Sequence, residues 1–139
     1  MYLDSVDLAN FYNTGLGHVA RRLIRRKIRS IWPNTSGLTI IGLGYATPFL
    51  RPFLMEADNV FALMPAQQGG TYWPVDSSNR VVISEDDELP FQDSSIDRMV
   101  LVHCMECTEH LRPMLKEVWR ILTGDGRLIV VVPNRSGVW

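Results

Sequence analysis

Residues 89–103 read LPFQDSSIDRMVLVH and residues 117–134 read EVWRILTGDGRLIVVVPN, and these two stretches decide the fold. Ile96 to Val102 is a short apolar run behind a polar turn, the pattern of a buried strand. Thr108 is placed to cap a helix. Leu111, Met114, Leu115, Val118 and Leu122 then fall at i, i+3, i+4, i+7 and i+11, which is one face of an α-helix. Thr123, Gly124, Asp125 and Gly126 end that helix. Residues 127–132 are almost continuously apolar, as in parallel strands covered on both faces.

Upstream, residues 8–32 read as a helical lead-in, with Leu16, Val19, Leu23, Ile28 and Ile31 offering an apolar stripe. A turn at 33–37 leads to a first strand at 38–43, a glycine turn, a helix at 48–56 and a second strand at 59–64. In residues 65–79, Gly69, Gly70 and Pro74 argue for a loop with at most a turn of helix. A third strand follows at 80–84. Strands alternating with helices or crossovers imply a parallel sheet. The 139 residues suffice for one core, and 46% hydrophobic with 21% charged is ordinary for a folded domain.

Net charge is −1 but uneven: residues 1–32 carry six basic side chains against Asp4 and Asp7. No apolar run is long enough for a membrane span, and the acidic N-terminus is unlike a signal peptide. Two cysteines make no disulfide scaffold, so the default compartment is the cytoplasm.

The C-terminal block resembles the second half of class I S-adenosylmethionine-dependent methyltransferases of the type 11-like family. Leu89-Pro90-Phe91, Asp97, Arg120-Ile121-Leu122, Gly124, Gly126 and Pro133-Asn134 carry the resemblance, in order. It implies a Rossmann-like α/β three-layer sandwich, mostly parallel, in spatial order 3-2-1-4-5. A lead-in at 1–37 would precede an α/β domain at 38–139. The family sheet has two further strands that this chain lacks. The resemblance therefore implies either a fragment of a longer protein or self-association through an exposed apolar edge at 128–132, with Trp139 near the contact.

It also implies S-adenosylmethionine as cofactor, methyl transfer as function and an acceptor the sequence does not identify. The cofactor would lie over Gly42, Leu43, Gly44, Tyr45 and Ala46, past Met64 and Pro65, with its adenine near Glu85 or Asp86. Glycines at such a turn let the backbone bend sharply and approach a ligand. The chain departs from the family pattern at Ile40, where an acidic residue belongs, and at Ala46, which replaces a third glycine. Met64 stands where a carboxylate would hold the ribose hydroxyls, and a core or pocket-lining methionine is its simpler reading. Thr47 and Met64 also disfavour a dinucleotide-binding oxidoreductase. The alternative function is a methyltransferase-fold binding or scaffold protein without turnover.

His103, at the carboxyl end of the fourth strand, is the one candidate catalytic side chain, as base or substrate contact. Methyl transfer needs alignment more than a dedicated catalytic group. The run from His103 to His110 holds Cys104 and Cys107 and invites a zinc reading. That reading fails on ligands: His18 is the only other histidine and no third cysteine exists. No metal is expected. The basic residues Arg21, Arg22, Arg25, Arg26, Lys27 and Arg29 could meet nucleic acid, but they lack interleaved aromatics. A solvated helix face, with Leu23 and Ile28 inward, is the expected reading.

Overall fold

The computed structural model describes Asn10 and residues 13–65, 80–104 and 108–132. Of the loop expected at 65–79, Pro65 instead ends a strand and residues 66–79 lie outside the described residues, as do Cys107, Pro133, Asn134 and Trp139. Helix α1 spans Gly15–Ile31, strand β1 Thr39–Gly44, helix α2 Thr47–Leu50 and strand β2 Asn59–Pro65. Strands β3 (Val81–Ser84) and β4 (Ile96–Val102), helix α3 (Leu111–Ile121) and strand β5 (Leu122–Val131) complete the order. The sheet has order β3-β2-β1-β4-β5 and every pairing is parallel, as expected.

Side chains alternate across the sheet, so each strand feeds two cores. Ile40, Val60, Ala62, Val100 and Val102 face α1 and α2, meeting Ile28, Trp32, Phe49 and Phe53. Ile41, Leu43, Leu63, Met99 and Leu101 face α3, meeting Met114, Val118 and Ile121. Fully burying side chains such as Phe49 and Phe53 stabilises the fold by about 1.5–3 kcal/mol each.

Several local expectations are corrected. In α1 the inward residues are Gly17, Ala20 and Ile28, while Leu23 is 59% exposed and Leu16, Val19 and Ile31 are about half exposed. The helix turns its small residues inward because it lies close over α2 and the sheet. The helix expected at 48–56 is only one turn of α-helix, followed by a 3₁₀ turn at Arg51–Phe53. Pro52 supplies no N–H to continue the ladder. Helix α3 begins at Leu111, not at Thr108. The Thr108 hydroxyl donates to Asp86 Oδ2 and accepts from the His110 N–H. The buried stripe of α3 is Met114, Val118 and Ile121; Leu122 already belongs to β5.

Strand β5 is not covered on both faces. Among the described residues it is an edge strand, and Leu128, Val130 and Val132 are 39%, 38% and 50% exposed. Its pairing with β4 jumps from Ile96↔Leu122 to Arg98↔Arg127. The glycine turn at 123–126 is therefore a bulge within the strand rather than a connection before it.

The motif residues of the C-terminal block lock one another. Arg120 donates to the Leu89 and Phe91 carbonyls, Asp93 and Glu117. Glu117 accepts in turn from the Leu89 N–H. The Ser94 and Ser95 N–H groups bond the Arg120 and Ile121 carbonyls at the end of α3. Asp97 Oδ2 accepts from the Thr39 N–H and ties the start of β1 to β4.

Candidate functional site

The strand order reverses direction between β1 and β4. Open α/β sheets bind ligands at such a switch point, beyond the carboxyl ends of the strands. Gly42, Leu43 and Gly44 close β1 there, and Tyr45 and Ala46 lead into α2. Two glycines have a physical reason in the fold. A Cβ on Gly42 would stand 2.3 Å from Ala46 Cβ, so this glycine lets α2 lie directly on β1. Gly44 has φ +85°, and a Cβ there would stand 2.2 Å from the Val102 carbonyl oxygen. The Tyr45 N–H donates to that same oxygen, pinning the turn to β4.

His103 follows at the end of β4 with φ 55°, an uncommon conformation for a residue with a side chain. Its N–H donates to the Val131 carbonyl, which holds the strained peptide in place. Such strain at a strand end beside a glycine turn is a common mark of functional sites, and only the structure reveals it here. Cys104 is fully buried. Its Sγ donates to the Leu43 carbonyl at 2.9 Å, so the thiol braces β1.

Ile40, near the start of β1, and Met64, near the end of β2, are both fully buried. Ile40 is core: it packs among Trp32, Phe49 and Phe53. Beyond β3 the two acidic candidates separate. Glu85 is exposed, whereas Asp86 is 5% exposed and accepts from the Thr108 hydroxyl. Asp86, Asp87 and His110 also bring carboxylate oxygens and an imidazole nitrogen within 4.8 Å of one another. Their separation in sequence hid that group, since nothing short-range links 86–87 to 110.

The basic residues of α1 divide by role. Arg29 pairs with Glu56, which also accepts from the Thr35 N–H and hydroxyl. Arg29 foremost, then Thr35, holds the Glu56 carboxyl down at about 2. Arg25 donates from Nε and Nη2 to the Pro48 carbonyl, and burial lowers its pKa. The Arg22, Arg26 and Lys27 side chains are exposed. Among the described residues no helix is long and apolar enough to cross a membrane.

Comparison with known proteins gives a consistent picture. A family model described as a methyltransferase domain matches residues 55–130, more than half of the chain. No curated protein matches the sequence. A putative S-adenosyl-L-methionine-dependent methyltransferase of Methanococcus maripaludis is 18% identical, with TM-score 0.60 over 91% of this chain and 63% of its own. A SAM-dependent methyltransferase of Aquifex aeolicus is 14% identical, with TM-score 0.60 over 92% and 72%. A putative methyltransferase of Haloferax volcanii, solved in complex with the Trm112 methyltransferase activator, is 21% identical, with TM-score 0.52 over 70% and 46%. The chain thus spans between about half and three quarters of the length of these structures.

Proposed function

The chain belongs to the methyltransferase-domain family, and we propose that it binds S-adenosylmethionine at the β1–β4 switch point and serves methyl transfer to an acceptor not yet identified. The observation that carries this reading is the glycine turn itself. Gly42 lets α2 close on β1, Gly44 turns the chain at positive φ against β4, and the Tyr45–Val102 bond pins this turn at the carboxyl edge of the sheet. To the same site we assign Leu43, Ala46, Met64, Pro65 and His103, with exposed Glu85 after the next strand.

The residues fit the cofactor at its ends better than at its middle. Exposed Glu85 can accept from the adenine amino group; Asp86, committed to Thr108, is the weaker candidate. Met64 offers the ribose hydroxyls no acceptor, and one absent charged hydrogen bond costs about 1.5–3 kcal/mol. When bound, the cofactor supplies an electrophilic methyl on a sulfonium. The chain's part is to bind, orient and exclude water. His103, held at positive φ by its bond to Val131, is the side chain assigned in this reading to accept the acceptor's proton or position it.

Fully buried Ile40 and Met64, without a carboxylate between them, favour one second reading, a binding subunit without turnover. Calorimetry with S-adenosylmethionine, S-adenosylhomocysteine and NAD tests the first part. Binding of the two sulfur nucleosides and not NAD is expected; binding of NAD alone would refute the reading. Transfer of labelled methyl from S-adenosylmethionine into fractions of small molecules, RNA or protein separates turnover from binding alone.

A further inference from the structure

Arg21, Arg25 and Arg29 stand four residues apart on α1, so they form a row along one side with about 6 Å between neighbours. The short turn after α1 feeds β1, so the helix runs antiparallel to that strand. Arg29 meets Glu56, ahead of β2, at the amino edge of the sheet. Arg25 is bound to Pro48, just past the glycine turn. Arg21 is one turn further, at the carboxyl edge.

Arg29 has a carboxylate partner and Arg25 a carbonyl. Arg21 has neither: its Nη2 lies 2.7 Å from His18 Nδ1, and no carboxylate of the described residues pairs with it. Its charge reaches the glycine turn, where it opposes the upward pull of burial on the Tyr45 hydroxyl. Together with Arg51 it also lowers the pKa of Arg25, after burial itself. Arg21, Arg25 and Arg51 thus lie close enough to act on one another.

We propose that Arg21 is a carboxylate seat of the glycine-turn site, holding the α-carboxylate at the amino-acid end of the bound S-adenosyl ligand. This rests on the cofactor reading above. A guanidinium fork matches a carboxylate with two parallel hydrogen bonds, and Arg21 is the cation of the row left to make them. A positive rim also opposes the sulfonium charge, so the thioether product binds more tightly than the methyl donor.

The test is calorimetry on the full chain with two probes, S-adenosylhomocysteine and 5′-methylthioadenosine, which keeps nucleoside and sulfur but lacks the amino acid. Arg21→Ala should weaken S-adenosylhomocysteine about tenfold or more. Methylthioadenosine should stay within about twofold, which also reports that the variant is folded. Arg21→Lys should recover part of the loss, and Arg26→Ala should change neither probe. If wild type binds only S-adenosylhomocysteine, its loss in Arg21→Ala at an unchanged melting temperature supports the seat equally. An equal loss of both probes, or a loss of neither, overturns the seat and leaves the cofactor reading standing. Failure of wild type to bind either probe overturns both.

Discussion

The half of the molecule built from β4, α3 and β5 and the half built from β1, α2 and β2 hold their turns in different ways. In the first, charged side chains do it: Arg120 gathers Leu89, Phe91, Asp93 and Glu117 around one guanidinium. In the second, close packing does it: Gly42 admits Ala46 and Leu50, and Gly44 admits the Val102 carbonyl and Cys104. The family-like residues of the C-terminal block are therefore mostly scaffold. Departures from the family pattern, Ile40, Ala46 and Met64, fall in the packed half, where the cofactor reading places its ligand.

The sharpest way to break this contrast is Gly44→Ala. The new Cβ would press on backbone at positive φ, so we expect a loss above about 3 kcal/mol in urea unfolding, or no folding. A loss under about 1 kcal/mol would show that the turn relaxes and that packing does not hold it. Next in size, Met64→Asp should destabilise the ligand-free chain by about 2–4 kcal/mol, because it buries an unpaired carboxylate. Saturating S-adenosylhomocysteine should recover part of this, read as a larger ligand-induced rise in melting temperature than wild type shows. No added rise would separate Met64 from the ligand.

Arg120→Ala probes the other half. Four partners lose their donor at once, so the melting temperature should fall by more than it does for Glu117→Gln, which leaves Arg120 its carbonyls and Asp93. Equal effects would mean that the ion pair alone matters. The smallest expected effect is on pH dependence. The folded-state pKa of Glu56 is about 2, below its ordinary 4.5. Its stabilising contribution is present above pH 4.5 and is lost as pH falls toward 2. Glu56→Gln should therefore flatten the acid limb of the stability curve in that window, and an unchanged limb would assign the loss to other carboxylates.

Element type and order were readable because hydrophobic period is local. Ile96 to Val102 has strand bounds that the structure reproduces, and the 3-2-1-4-5 order follows from the resemblance carried by the block after it. Which face of α1 turns inward was not readable. Leu16, Val19 and Leu23 mark an apolar stripe by period, yet close approach to α2 favours Gly17 and Ala20 inward. Likewise Thr108 has the chemistry of a cap, but buried Asp86 captures its hydroxyl.

By itself, then, the sequence determined an α/β chain with a glycine turn after its first strand, because chain-local period and turn chemistry suffice for that. Only the tertiary structure decided that Asp86 turns inward while Glu85 stays open. It also decided that His103 is strained and that Arg21, beyond Arg29 with its carboxylate and Arg25 with its carbonyl, has neither partner among the described residues. Each of these depends on which distant segment arrives beside the residue, and contacts across tens of residues leave no local pattern to read.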